Sequence, residues 1–202
     1  MKRAALAAGL LALAMARPAR AEETFDARMP VRAGFAFTDI SNGPAFSFSW
    51  AIEADIARIT HHLHLTALFD FDAETRLDLS DQDPISSFGA IGAGLGLFYV
   101  TEGSVGIGID TAFSVTFDAK DLAGGGLMAR AYLIPYYVPL SEAVRSHRDR
   151  FGAWVRSSLS LWAMARVDFT RDGNGGTYAF GGAIDLMRVL FLPYIELLTK
   201  KL

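Results

Sequence analysis

Large apolar residues alternate with small or polar residues in the stretch AFSFSWAIEADIARI, residues 45 to 59. One parity carries Phe46, Phe48, Trp50, Ile52 and Ile56. The other parity carries Ala45, Ser47, Ser49, Ala51, Glu53, Asp55 and Ala57. A period of two indicates an extended strand with two unlike faces. In a water-soluble barrel or sandwich the aromatic face would line the core, whereas in an outer-membrane barrel it would meet lipid.

Seven further segments show the same period, and 104–118 is the clearest, with Val105, Ile107, Ile109, Phe113 and Val115 on one face. The others are 31–39, 62–73, 89–100, 127–140, 151–169 and 177–190. An even number of amphipathic strands of about ten residues is what a small membrane barrel requires. The pattern therefore predicts an all-β fold, an eight-stranded antiparallel up-and-down transmembrane β-barrel.

The predicted connections alternate in length, which gives a second test of the barrel. Short turns are predicted at 60–61 and 101–103, with a longer connection at 141–150. Residues 40–44, 74–87, 119–126 and 170–176 are predicted to form the loops of the opposite end. Short periplasmic turns and longer external loops are typical of outer-membrane barrels.

The composition of the polar face decides which side of the strands looks outward. A solvent-facing wall is usually rich in Lys and Glu, but here it holds Gly, Ala, Ser and Thr with isolated charges. After the first 21 residues the only lysines are Lys120, Lys200 and Lys201, and none falls in a predicted strand. Small residues suit the narrow interior of an eight-stranded barrel. The aromatic face is therefore predicted to face lipid.

Residues 1–21 read as a cleavable signal peptide, and 22–202 as a single barrel domain. Lys2 and Arg3 precede a thirteen-residue apolar run, and Ala19-Arg20-Ala21 matches a cleavage pattern. Removing this segment leaves 15 basic and 22 acidic residues, a net charge of −7, which argues against a nucleic-acid partner. The chain has no cysteine, so it has no disulfide framework.

On these residues, the chain from 31 to about 190 resembles the small eight-stranded outer-membrane barrels of the OmpA/OmpX type. The resemblance implies the cell outer membrane of a Gram-negative bacterium, contacts with outer-membrane lipid and lipopolysaccharide, insertion by the barrel assembly machinery, and a monomer without cofactors. One departure is the end of the chain. Barrels of this type often finish on a strand with a terminal aromatic residue, whereas this sequence continues through FLPYIELLTKKL.

Charged residues on the polar parity predict a network inside the barrel. The predicted lumen network is Glu53, Asp55, Asp70, Asp110, Arg156, Arg166 and Asp185, with Asp72 and Arg130 on the same face. Buried charges must pair, so an arginine–carboxylate network is expected. It could be a plug or an ion pathway, and we favour the plug because lumens of this size are filled by side chains.

Three other patterns resemble metal or nucleotide sites but lack the required ligands or spacing. His61, His62 and His64 could share a metal, but no third ligand is identifiable beside the i, i+2 pair, and no metal site is predicted. The acidic residues Glu74, Asp78, Asp81 and Asp83 do not have the spacing of a calcium loop, so a solvated acidic loop is expected. The glycines at 92, 94 and 96 lack the third glycine and the helix of a dinucleotide fingerprint.

The function predicted from sequence is structural or surface-interacting and not enzymatic. Lipid A deacylases and palmitoyltransferases use the same kind of barrel, but only Ser146-His147, with Glu142 nearby, places a serine beside a histidine. Proximity in sequence is weak evidence for a catalytic triad. The alternatives are a soluble periplasmic barrel that binds an apolar ligand and a lipid A-modifying enzyme.

Overall fold

The computed structural model describes residues 26–38, 44–77, 85–118, 122–139, 150–170 and 173–191. The predicted signal peptide, the Ser146-His147 pair, the loop residues Asp78, Asp81 and Asp83, and residues 192–202 lie outside the described residues.

Eight long strands form a closed antiparallel barrel, as the two-residue period predicted. They are β2 (Pro30–Thr38), β3 (Pro44–Arg58), β4 (Leu63–Leu77), β5 (Ile85–Val100), β6 (Gly106–Asp118), β7 (Leu122–Ile134), β8 (Leu159–Thr170) and β9 (Gly173–Asp185). Each strand pairs with the next along the chain, and β2 pairs with β9. A short strand, β1 (Ala27–Arg28), adds to the end of β3. Closure leaves no long strand with a free edge.

We call the end of the barrel with residues 59–62, 101–105 and 135–139 the turn end, and the opposite end the loop end. The predicted contrast in connection length is not seen, because at the loop end three residues separate β6 from β7 and two separate β8 from β9. Thr60 and Thr101 close the first two turns, since their hydroxyls accept the backbone N–H groups of Leu63 at 3.1 Å and Val105 at 3.0 Å. At the loop end the strands run further than predicted, because β4 reaches Leu77 and β7 begins at Leu122. The predicted loops 74–87 and 119–126 were therefore too long.

Two predicted strand segments are helical at the turn end. Residues 151–158, predicted as the start of a strand, belong to helix α1 (Arg150–Ser158), and Met187–Phe191 form a π-helical turn after β9. Strand β7 ends at Ile134, directly before Pro135, rather than at 140. No helix within the described ranges has the length and apolar character needed to cross a membrane.

Side chains alternate between a buried inner wall and an exposed outer wall along every long strand. On β3, Phe46, Phe48, Ile52 and Ile56 point outward with 42 to 50% of their surface exposed, and Trp50 is half-buried. The residues between them, including Ser47, Ser49, Ala51 and Glu53, are buried inside. The most exposed large apolar side chain described, Phe113 on β6, is 75% exposed. The barrel thus carries its apolar side chains on the outside.

Glycines allow the strands of this narrow barrel to approach closely. Gly34 on β2 and Gly181 on β9 are paired across the closing seam. A Cβ on either residue would collide with the backbone of the other strand. A side chain at either position would therefore disturb the pairing that closes the barrel.

Candidate functional site

The middle of the lumen holds a cluster of six buried charged residues, which we call the central cluster: Arg28, Arg32, Glu53, Asp70, Asp110 and Arg130. Arg130 extends from β7, and its Nη1 atom lies 3.1 Å from both carboxylate oxygens of Asp70 on β4. Its Nη2 atom lies 3.2 Å from Asp110 Oδ2 on β6. One guanidinium therefore joins the walls contributed by three strands.

Glu53 connects the other two arginines of the central cluster. It accepts a hydrogen bond from Arg32 and lies 3.0 Å from Arg28 Nη2. Arg32 also lies 3.4 Å from Asp70. Three arginines and three carboxylates are thus brought together, so the formal charges of the central cluster balance. Charge-assisted hydrogen bonds of this kind are the strong ones, and buried charges need them.

Arg28 marks the boundary between the central cluster and an aromatic layer nearer the turn end. Its guanidinium lies 4.1 Å from the centre of the Phe98 ring, and its Nη2 atom donates to the Tyr132 hydroxyl at 2.6 Å. Phe98 also packs against Tyr137, with 4.8 Å between the ring centres. These buried aromatic side chains lie in the lumen between the central cluster and the turn end.

A second group of charges, the loop-end cluster, surrounds Arg166 on β8. Its Nε atom donates to Asp168 at 3.0 Å, and its Nη2 atom donates to Glu74 at 2.6 Å. Asp72 lies further away, with 3.7 Å between Arg166 Nη1 and Asp72 Oδ2. Arg166 therefore joins β8 to β4 on the opposite side of the barrel.

A third group, the turn-end cluster, forms around Arg188 in the π-helical turn. Arg188 contacts Asp185 at 3.1 Å and Asp26 at 3.2 Å, and it also donates to the Val138 carbonyl and to Ser157. Tyr137 donates its hydroxyl proton to Asp26, and burial together with that carboxylate raises the pKa of the Tyr137 hydroxyl. Arg188 thus ties the start of the described chain to its end and to α1.

The predicted lumen residues are distributed over these three clusters. Glu53, Asp70 and Asp110 lie in the central cluster, Arg166 in the loop-end cluster, and Asp185 in the turn-end cluster. Asp55 lies apart from the arginines, and its Oδ2 atom is 2.6 Å from His64 Nδ1 at the turn end.

Arg156 is not a lumen residue, so its assignment to the predicted network was wrong. It lies in α1, where its side chain is exposed and its guanidinium lies 5.3 Å from the centre of the Tyr136 ring. The prediction extended the parity of β8 backward through residues that form a helix, where alternate residues do not share a face.

Several lumen charges were missed or misplaced by the sequence prediction. Arg32 has the inward parity of its own predicted strand, and that parity could have identified it. Glu74 was assigned to a loop because β4 was predicted to end at residue 73. Asp26 lies before the first predicted strand, and Arg188 lies near the end of the last one. Strand parity does not predict the direction of either side chain.

The space left between the clusters is small. A cavity of about 20 Å³ lies beside Arg28, Arg32, Glu53 and Asp185. That volume has room for about one water molecule.

Histidines and carboxylates do not form a metal site within the described parts of the chain, where no group of three or more such side chains could hold a metal ion. His62 lies in the turn before β4 rather than on the strand face of His64, and His64 uses its Nδ1 atom to contact Asp55. His61 and His62 contact each other edge-on, with 5.1 Å between the ring centres.

Comparison with known proteins gives structural likenesses only. Neisserial surface protein A is 15% identical with a TM-score of 0.45, over 80% of this chain and 97% of that one. The attachment invasion locus protein Ail of Yersinia pestis is 10% identical with a TM-score of 0.36, over 80% and 97%. No family model matches the sequence, and no curated protein matches it.

The barrel's own geometry identifies its class. A closed eight-stranded antiparallel barrel with an apolar outer wall and a polar interior is the architecture of an outer-membrane barrel. The chain has that fold.

Proposed function

We propose that this protein is an integral protein of the bacterial outer membrane, with a plugged lumen and a structural or surface-interaction role. The observation that carries the proposal is the reversal of the two walls. Phe35, Phe113 and Phe180 are 52 to 75% exposed on the outside, while Arg130, Asp110 and Arg166 are at most 1% exposed inside. In water, a barrel with charged side chains outside and aromatic side chains inside would be more stable. In a bilayer the observed arrangement, with aromatic side chains outside, is the more stable one.

The proposed plug is supported by the pairing of the buried arginines with carboxylates. Arg28, Arg32, Arg130, Arg166 and Arg188 all contact carboxylates, and each is buried. An ion moving through the lumen would have to separate these pairs in a region of low dielectric constant, which is costly. The central cluster therefore closes the barrel and joins its strands.

The orientation proposed is the usual one for this class of barrel. We place the turn end, where both described chain ends, Asp26 and Phe191, lie, in the periplasm. The loop end then faces outward, where the loops and the rim would contact lipopolysaccharide or surface partners. Insertion would require the barrel assembly machinery, and the protein would act as a monomer without a cofactor, a metal or a nucleic-acid partner.

The rival of a soluble barrel with an apolar ligand requires an apolar cavity inside. The inner wall instead carries buried arginines and carboxylates, and its aromatic residues Phe98, Tyr132 and Tyr137 pack against one another and against Arg28. The described lumen is therefore lined by charge pairs, whereas an apolar ligand would require an apolar lining.

Cell fractionation and site-specific labelling test the location and the orientation together. The chain has no native cysteine, so a single cysteine reports one position. The exposed turn residue Gly103 should accept a membrane-impermeant thiol reagent as Gly103→Cys only after the outer membrane is permeabilised. The protein should fractionate with the outer membrane and need detergent for extraction. Labelling on intact cells would contradict the orientation, and recovery in the soluble periplasmic fraction would contradict the membrane barrel.

A further inference from the structure

The turn end of the barrel contains a pocket that the plugged lumen does not explain. Its volume is about 290 Å³, close to the lower end of the range for small-molecule sites. It is lined by the adjoining ends of β3 and β4, by the two short turns and by the segment after β7, with Arg58, His61, His62, His64, Glu102 and Tyr137 among the lining residues.

Backbone contacts hold the walls of this turn-end pocket in place. The Val100 N–H donates to the His62 carbonyl at 2.8 Å, and the Tyr137 N–H donates to the Ser104 carbonyl at 2.6 Å. Ser104 adopts a positive φ of 61° in the turn. These contacts fasten both turns and the segment after β7 to each other, so the pocket is built by several elements.

One imidazole of the pocket is fixed in orientation. His64 is buried, its Nδ1 atom lies 2.6 Å from Asp55 Oδ2, and its ring packs edge-on against Phe98. Asp55 therefore orients the ring through one nitrogen and leaves the other nitrogen for a different contact. Because Nδ1 donates to Asp55, the second nitrogen of the neutral ring is a hydrogen-bond acceptor.

One cationic side chain at the pocket, Arg58, is available to bind an anion. Within the described part of the chain, the exposed Arg58 side chain makes no ion pair or hydrogen bond, although it lines the pocket. Asp55 is engaged by His64, and Asp26 is engaged by Tyr137 and Arg188. Glu102, exposed at the rim, is the remaining carboxylate lining the pocket, and it lies too far from Arg58 for an ion pair.

We propose that the turn-end pocket binds a phosphate anion, either free phosphate or the phosphate monoester headgroup of a lipid. The planar fork of an arginine matches the oxygens of phosphate, and the ring N–H groups of His61 and His62 supply further donors. Tyr99, 45% exposed on the outer wall, contacts His62, with 6.0 Å between ring centres. The pocket therefore lies next to the outer wall, where a lipid headgroup could reach it.

The test uses the purified, folded full-length protein in maltoside micelles, which contain no phosphate. The histidine rings are isotope-labelled, and their resonances are followed by NMR during titration with inorganic phosphate and, separately, with monomeric dihexanoyl phosphatidic acid. Arg58→Gln removes the available cation. Arg156→Gln serves as the matched control. It removes a cation of α1 that lies at the same end of the barrel but does not line the pocket.

The proposal predicts saturable shifts of the pocket histidine resonances. Loss of the charge-assisted contact in Arg58→Gln should weaken binding about tenfold or more, and Arg156→Gln should bind like the wild type. A response to inorganic phosphate identifies free phosphate as sufficient, and a response to the lipid alone identifies the headgroup. No saturable shift with either probe, or equal weakening in both variants, would overturn the proposal. Because the assay is done in micelles, its failure would leave the proposed membrane location untouched.

Discussion

The inner and outer walls of the barrel are built from neighbouring residues of the same strands, yet they obey opposite rules. On β3, Phe48 is 42% exposed on the outside and Ser49 is 2% exposed inside. The outer wall needs only to be apolar, since lipid adapts to its shape. The inner wall must match charge with charge at distances near 3 Å, as Arg130 does with Asp70 and Asp110. Substitutions should therefore act through pairing inside and through membrane depth outside.

The largest effect is expected inside, for Arg130→Met. The substitution removes the arginine that contacts Asp110, and Asp70 keeps only Arg32 at 3.4 Å. Breaking a buried pair by removing one partner costs about 3–5 kcal/mol, because a charge is left uncompensated. The measurement is urea-induced unfolding of the refolded protein in lipid vesicles.

A double variant serves as the control for that prediction. Arg130→Met combined with Asp110→Asn leaves the central cluster with two arginines and two carboxylates, and it should recover a large part of the lost stability. If Arg130→Met were as stable as the wild type, the central cluster would not hold the barrel together.

The next largest effect is expected on the outer wall, from arginine placed in turn at Phe46, Phe48, Trp50, Ile52 and Ile56. The cost should be about 2–4 kcal/mol at the bilayer midplane and fall towards zero near the two interfaces. Near the ends of the strand the guanidinium can reach the headgroups. The same vesicle unfolding measurement gives the profile along β3. A flat profile, or folding that requires no lipid, would place these side chains in a protein core instead.

The smallest effect is expected for Ser47→Ala on the inner wall of β3. The Ser47 hydroxyl is fully buried and has no hydrogen-bond partner within the described part of the chain. Its loss should change the free energy of unfolding by less than about 1 kcal/mol. A larger loss in the vesicle unfolding assay would show that small polar residues of the inner wall also take part in the network.

The two-residue period predicts most of the fold because strand geometry projects directly onto sequence. Phe46, Phe48 and Ile52 could be assigned to the outer wall without any tertiary information, since alternate residues of a strand must share a face. The eight strands, their antiparallel order and the position of the short turns follow in the same way. Strand ends were harder to predict, because Glu74 near the end of β4 looks like a loop residue until its contact with Arg166 is known.

The charge clusters were predictable only where they lie on regular strands. Glu53, Asp70 and Asp110 have the inward parity, but their partners are set by the stagger of the strands around the barrel. Arg188 and Asp26 are 162 residues apart in sequence and meet in irregular segments, so no local pattern links them. Arg156 was misplaced because the period of a strand was extended into α1.

The most direct test of the account is the conductance of the purified wild-type protein in planar lipid bilayers. The central cluster pairs its charges across the lumen, and Phe98 and Tyr132 pack against each other nearer the turn end. The account predicts that the inserted barrel, verified by its heat-dependent mobility in electrophoresis, shows no stable channel steps of porin size. Steady conductance steps of that size would show that the paired charges form an ion pathway and would contradict the plug.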